Sequence, residues 1–348
     1  MALGLGLNFR ITHHGGVKHD GNDLRARRLF FAKCGKPKEV LGVEEFEPRE
    51  PATGEVLVRM EAAPINPADL NLIEGTYGVK ATLPAVPGIE GCGVVVSGGS
   101  GCFEAGQRVI FLRRASTWAS HVIVPEDALF ALPEGIDMHQ AAMLKVNPAT
   151  AWRLLHGFAA LKPGDWVVQN AGNSAVGRCV IQLARELGVR TVSLVRRADL
   201  VDELGELGGD VVLTDGDAAV AEALEHLGGA TARLAFNAVG GESALRLMKL
   251  LEEGGTHITY GAMSRKPLTL PNGLLIFRDI RLRGLWVSRW LEQALCEEVR
   301  ATYENLAQLV NAGRLVQKVD SVFSLEDWPS ALERLKDADR NGKVLLAP

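Results

Sequence analysis

No run of apolar residues in this chain approaches the roughly 18 needed to cross a bilayer, so no membrane span is expected. Positive charge is not in excess either. Lys and Arg number 38 against 42 Asp and Glu, a net charge of −4, which gives no general attraction to nucleic acid or to an anionic membrane. Cysteine is sparse: Cys34, Cys92, Cys102, Cys179 and Cys296 are scattered, odd in number and without a C-x-x-C pair. That set excludes a disulfide framework and a thiolate zinc cluster, and it fits a reduced, cytoplasmic protein. Tyrosine is scarcer still, at three, and no internal repeat or low-complexity tract is present.

What is present suits a globular enzyme. The chain has 348 residues, 47% of them hydrophobic and 23% charged, enough for two domains of ordinary size. The first 28 residues are atypical. They mix glycine, five basic residues and His13, His14 and His19, without the apolar core of a secretory signal. A flexible extension, a mis-set start and a weak organelle-targeting segment all remain open. The last would place the protein in the mitochondrial matrix, although Asp20 and Asp23 are acids that transit peptides avoid.

The stretch Asp165 to Arg197, DWVVQNAGNSAVGRCVIQLARELGVRTVSLVRR, organises the rest. Trp166-Val167-Val168 reads as a buried strand. A turn follows with Gly172, Asn173, Ser174, Ala175, Val176 and Gly177. Val176, Val180, Ile181, Leu183, Ala184 and Leu187 then share one helical face, which Gly188 ends. Thr191 to Val195 is a second strand. A strand, a glycine-bearing turn, a helix and a strand set a helix N-terminus against a dinucleotide pyrophosphate. Ser174 replaces the middle glycine of G-x-G-x-x-G, so the context carries the reading more than the motif. The second strand ends in Arg196-Arg197, about 20 residues past the turn. There NAD proteins carry an acid, and a 2′-phosphate needs a basic group. The cofactor is read as NADPH.

Before this unit, short strands alternate with proline and glycine turns over roughly 29–140. After it, strands and helices alternate, as in an open parallel sheet covered on both faces. A helix is expected over Ala141 to Leu155, a strand over Leu282 to Val287, a helix over Arg300 to Ala312 and another over Leu325 to Lys336. Lys343 to Leu346 closes the chain as a strand.

Several segments resemble the medium-chain dehydrogenase/reductase superfamily: Gly54 to Val58, Ile65-Asn66-Pro67-Ala68-Asp69 and Pro87-Gly88-Ile89-Glu90-Gly91. The resemblance covers nearly everything after residue 28. Its zinc members place ligands where this chain has Asn66, Ile89 and Asn147. Ile89 cannot ligate and asparagine ligates zinc poorly, so a zinc-free reductase is implied. Within that group the chain resembles the mitochondrial-type trans-2-enoyl thioester reductases. The carrying segments are Asn66 to Tyr77, Val146 to Ala151, Gln169 to Gly177, Thr259 to Met263 and Leu275 to Trp290.

The resemblance implies an α/β fold: a GroES-like β-rich catalytic domain at 29–143 and 318–348, and a Rossmann-type doubly wound parallel sheet at 144–317. It implies NADPH-dependent reduction of enoyl thioesters carried on coenzyme A or acyl carrier protein. Tyr77 matches the proton donor and Asn147 a residue beside the nicotinamide. Asn173 to Val176 match the pyrophosphate turn, and Arg196, Arg197 and Ala198 the 2′-phosphate site. Tyr260, Gly261, Ala262, Met263, Leu285, Trp286 and Val287 match loops along cofactor and acyl chain, and Lys343 a basic residue from the tail. A homodimer is expected through the strand at Leu282. Trp286 and Trp290 also suit a core. His121 and His156 read as packing residues. Arg278, Arg281, Arg283 and Arg289 are either a carrier-binding edge or a solvated one. A quinone or 2-alkenal reductase and a non-catalytic NADPH sensor are the other readings.

Overall fold

The alternation Val56, Val58, Met60, Ala62 turns four apolar side chains to one face of a strand, and all four are buried. That strand, β3 (Glu55–Pro64), is the centre of the first unit. The computed structural model describes residues 25–348. The expected extension therefore lies outside the described residues up to position 24, His13, His14 and His19 included. From Ala26 that expectation is corrected. β1 (Ala26–Phe30) buries Ala26 and Leu29 and pairs antiparallel with β2 (Gly42–Phe46). Three residues assigned to the extension are thus held by a strand ladder.

β4 (Cys92–Gly98), β5 (Arg108–Phe111), β6 (His121–Pro125) and β7 (Leu129–Ala131) follow. β3 pairs with β4 and β6, β4 with β5, and β5 with β7, all antiparallel. The second sheet holds β8 (Trp166–Asn170), β9 (Arg190–Val195), β10 (Val211–Thr214), β11 (Ala232–Asn237), β12 (Leu251–Thr259) and β13 (Arg281–Gly284). Its order is β10-β9-β8-β11-β12-β13, and every pairing is parallel. Alternate side chains fill opposite faces. Val167 and Leu234 pack into one core with residues of helices Asn147–His156, Ala175–Glu186 and Cys296–Asn311. Val168 and Ala235 pack into another with residues of helices Ala219–Leu227 and Gly241–Lys249. The sheet is doubly wound, and its order reverses between β8 and β11, where such folds open a crevice at the strands' carboxyl ends. β14 (Val319–Ser324) and β15 (Lys343–Ala347) bring the tail back to the first unit, with Leu345 and Leu346 opposite Pro64 and Ala63 of β3.

Four elements differ from expectation, one of them the helix expected over Arg300 to Ala312, which runs from Cys296 to Asn311. The helix expected over Ala141 to Leu155 is two helices, Met138–Ala142 and Asn147–His156. Between them the Val146 N–H donates to Glu90 instead of continuing a helical ladder. The strand expected over Leu282 to Val287 is confined to Arg281–Gly284, and Val287 starts the helix Val287–Gln293. The last helix is trimmed to Trp328–Arg334, with Pro329 in its first turn, where a missing N–H is harmless.

Candidate active site

The carboxyl ends of β8, β9, β12 and β13 collect most of the expected site. β8 runs into the turn at Gly172, and the helix Ala175–Glu186 begins three residues later, with the Ser174 hydroxyl accepting from the Gly177 N–H at 3.1 Å. A Cβ on Gly172 would stand 2.8 Å from the Ser193 Cβ, and one on Gly177 would stand 2.5 Å from the Gly172 oxygen. The turn and its helix are as close as backbones allow. The buried Arg178 guanidinium donates to the Asn173 oxygen at 3.2 Å and fixes the turn from behind.

At the end of β9 the two arginines part. Arg196 is exposed. Arg197 is half-buried, pairs with Asp199 at 3.3 Å and donates to the Ala338 oxygen at 2.5 Å. Ala198 follows, exposed, in the same bend.

β12 delivers Tyr260 to Met263. The Tyr260 and Met263 amides donate to the oxygens of Asn237 and Ala238, and Gly261 lies against Ala238. Ala262 and Met263 face outward. The Tyr260 hydroxyl is enclosed beside Ser174, and burial pushes its ionisation upward against that neighbour. β13 delivers Leu285, Trp286 and Val287. The Trp286 indole N–H donates to the Tyr77 hydroxyl at 3.0 Å, with the rings edge to face at 6.2 Å. Tyr77 comes from the first unit, just past the helix Pro67–Glu74, so this bond crosses between the units. Accepting from Trp286 leaves the phenol's own hydrogen free to be donated.

Lys343 does not join the phosphate turn. It is buried in the first unit, with its ammonium on the Asn66 side-chain oxygen. The Asn66 amide donates to Glu90 at 2.8 Å, and Lys145 donates to the Ile89 oxygen at 2.7 Å. Asn147 is 6% exposed, and its amide nitrogen has no partner. A buried, unpaired donor costs roughly 1–3 kcal/mol, and an acceptor on a bound ligand would relieve that cost. Burial pushes Lys145 down to about 8 and holds Lys343 below its ordinary value; Glu90, raised by burial, is pulled back by the Lys343 charge.

The residues fit a dinucleotide: a turn that no side chain could enter, a helix N-terminus, a free arginine and an orphan amide. They do not fit zinc. Asn66 is occupied on both polar atoms, two ammonium groups stand nearby, and among the described residues no three of His, Cys, Asp and Glu gather as ligands. Glu90, Lys145 and Arg178 were not singled out from the sequence as site residues. A glutamate between Gly88 and Gly91 carries no periodic signal, and only tertiary contact gives it partners. His121 is half-buried and bonded to Ser120, whereas His156 is exposed, stacked on Trp152 at 4.1 Å and bonded to the Trp152 oxygen.

Residues 52–134 match the alcohol dehydrogenase GroES-like domain, and residues 175–312 match the zinc-binding dehydrogenase domain. The mitochondrial enoyl-[acyl-carrier-protein] reductase of Xenopus tropicalis is 40% identical over 330 residues, covering 90% of this chain and 92% of that protein. The structure of Etr1p with NADP and crotonyl-CoA superposes with a TM-score of 0.85 at 30% identity, covering 93% of this chain and all of that one. A candidate NADPH:quinone reductase from Bacillus thuringiensis superposes at 0.86 with 29% identity, covering 94% of this chain and 100% of that one.

Proposed function

The chain belongs to the medium-chain dehydrogenase/reductase superfamily and, within it, to the enoyl-[acyl-carrier-protein] reductases, and on that premise we infer that it uses NADPH to reduce the 2,3-double bond of trans-2-enoyl thioesters. NADPH, when bound, supplies the hydride that the substrate's β-carbon receives. Negative charge then gathers on the thioester oxygen, and pre-placed donors must hold it. The Tyr77 hydroxyl, oriented by Trp286, delivers the proton to the α-carbon directly or through water. Asn147 holds the nicotinamide end, the Gly172–Gly177 turn the pyrophosphate, and Arg196 with Arg197 the 2′-phosphate. Tyr260 to Met263 and Leu285 to Val287 line cofactor and acyl chain.

One observation carries the chemistry: a phenol from one unit, bonded across the cleft to an indole from the other. The test is NADPH oxidation against enoyl-CoA substrates of graded length, with quinones and free enals alongside. Turnover of crotonyl-CoA or longer enoyl-CoA far above that of quinones is the expected result. The likeness to the Bacillus protein favours the quinone reading, and rapid turnover of quinones alone would establish it. Turnover of none of these would leave the NADPH-binding sensor.

The carrier, the partner copy and the compartment are read further. Arg289, lying over the Trp286 ring at 5.5 Å, is a cation beside the cleft that suits a phosphopantetheine or an acidic carrier protein. A homodimer through β13 and its neighbouring helix suits the apolar surface there. The relatives' mitochondrial names favour the matrix over the cytoplasm expected from composition. No described helix is long and apolar enough to cross a membrane.

A further inference from the structure

Glu90 is fully buried, and the reaction above gives it no task. Its two carboxylate oxygens reach different segments. Oε1 accepts from the Asn66 amide at 2.8 Å, and Oε2 accepts from the Val146 N–H at 2.8 Å. Val146 directly precedes Asn147 and caps the second helix: its oxygen accepts from the Thr150 N–H at 2.9 Å, while its own N–H has no helical acceptor and is held by Glu90. The break is pinned on its other side as well: the Tyr303 hydroxyl donates to the Lys145 oxygen at 2.8 Å, and the Lys145 ammonium reaches Ile89. Each of these contacts satisfies a polar group. Next in the chain after Val146, the buried Asn147 amide nitrogen has no partner among the described residues.

A buried carboxylate beside two ammonium groups, kept for stability alone, has a poor rationale, since apolar residues of similar volume often serve as well or better. We propose that Glu90 is a positioning residue for the cofactor: by holding the Val146 N–H it sets the backbone from which the Asn147 carboxamide meets the nicotinamide end of NADPH. The inference rests on the reading of Asn147 as a nicotinamide contact.

The test measures binding. NADPH affinity is read from nicotinamide fluorescence. The affinity for adenosine 2′,5′-bisphosphate, which has the phosphate half of the cofactor but no nicotinamide, is read by calorimetry. Glu90→Gln places an NH₂ against one of two N–H donors. Glu90→Asp keeps the charge that offsets Lys343 and Lys145 but is one methylene too short to reach both partners, and it serves where Gln perturbs folding. Each, like Asn147→Ala, should weaken NADPH about tenfold, ~1.4 kcal/mol, and leave the bisphosphate unchanged. The double variant Glu90→Gln/Asn147→Ala should bind no more weakly than the worse single one, because both remove the same contact. Additive losses, an unaltered NADPH affinity in the Glu90 variants, or equal loss of both ligands would overturn the positioning role while Asn147→Ala still marks the nicotinamide site. NADPH binding unaltered in Asn147→Ala would overturn the reading of that site, and this role with it.

Discussion

Of the three tyrosines, two have their hydroxyls committed to the interior. Tyr303 is fully buried and donates to Lys145, and the Tyr260 hydroxyl is enclosed. Tyr77 alone carries its phenol to the opposite unit, where it meets Trp286. Tyr77→Phe keeps the ring and removes the proton. If it protonates the substrate, turnover of crotonyl-CoA should fall by ~10²–10⁴ with NADPH affinity little changed. A raised KM with modest loss of turnover would assign it to orienting the thioester instead, and an unaltered rate and KM would remove it from the mechanism. A second residue behaves in the opposite way. Asp69 is fully buried and one carboxylate oxygen has no partner; burial, aided by the charge of Glu90, pushes it up to about 7. An unfolded aspartate titrates near about 3.9. Below that pH the group is protonated in both states and costs nothing. Between about 4 and 7 the unfolded chain releases its proton first, so stability falls as pH rises, and above 7 the loss is complete. Asp69→Asn should therefore gain on the native protein as pH rises from 4 to 7, by roughly 2–4 kcal/mol at the plateau. Urea unfolding of both proteins at pH 5, 6 and 8 reads this, and a difference independent of pH would show that the carboxyl is not buried as described.

At the scale of elements, legibility in the sequence followed locality. The helix Ala175–Glu186 declared itself through one apolar face, and its turn through two glycines that the structure shows to be steric necessities. The break at 143–146 had one local sign, Pro148, which lacks the N–H that a continuous helix needs and sits in the first turn of the second helix; the bond from Val146 to Glu90, more than fifty positions away, had none. Lys343 was singled out only through the family resemblance, and its seat on Asn66 depends on β15 pairing with β3. The end of β9 shows both limits at once. Arg196-Arg197 was readable as a phosphate grip, yet only the structure separates an exposed Arg196 from an Arg197 already engaged by Asp199 and Ala338. Arg196 has no polar partner among the described residues, so it can meet a phosphate without breaking a contact to them. Arg196→Ala should weaken NADPH by ~1–3 kcal/mol and barely touch NADH, and Arg197→Ala should cost less. Fluorescence titration with both cofactors checks this. Equal losses for NADPH and NADH in Arg196→Ala would move the 2′-phosphate elsewhere.

For the whole molecule, the site is assembled from distant parts of the chain, and its outer wall is an unfinished edge. Among the described residues β13 pairs only with β12, so its other side offers unpaired N–H and C=O groups there, and Leu282 on it is 40% exposed. The helix Asn272–Arg278 beside it exposes Leu275, Ile276 and Phe277 in succession, Phe277 at 78%. Scattered apolar side chains on a surface need no explanation, but a continuous group against an open strand does. A second copy related by a two-fold axis would pair β13 with itself and cover both helices, each copy offering the other the same patch. The consequence reaches the chemistry, because Trp286 lies two residues past the end of β13. A strand stapled by a partner holds that indole, and so the Tyr77 hydroxyl, more firmly than a free edge does. Phe277→Lys combined with Leu282→Lys puts like charges face to face across the axis and should yield monomers by light scattering at micromolar concentration. Those monomers should still bind adenosine 2′,5′-bisphosphate, whose proposed site lies at the ends of β8 and β9, yet turn over crotonyl-CoA more slowly than the native protein. Native protein that scatters as a monomer would remove the dimer. Dimers that survive both substitutions would place the contact on another face, and monomers of full activity would separate assembly from the positioning of Trp286.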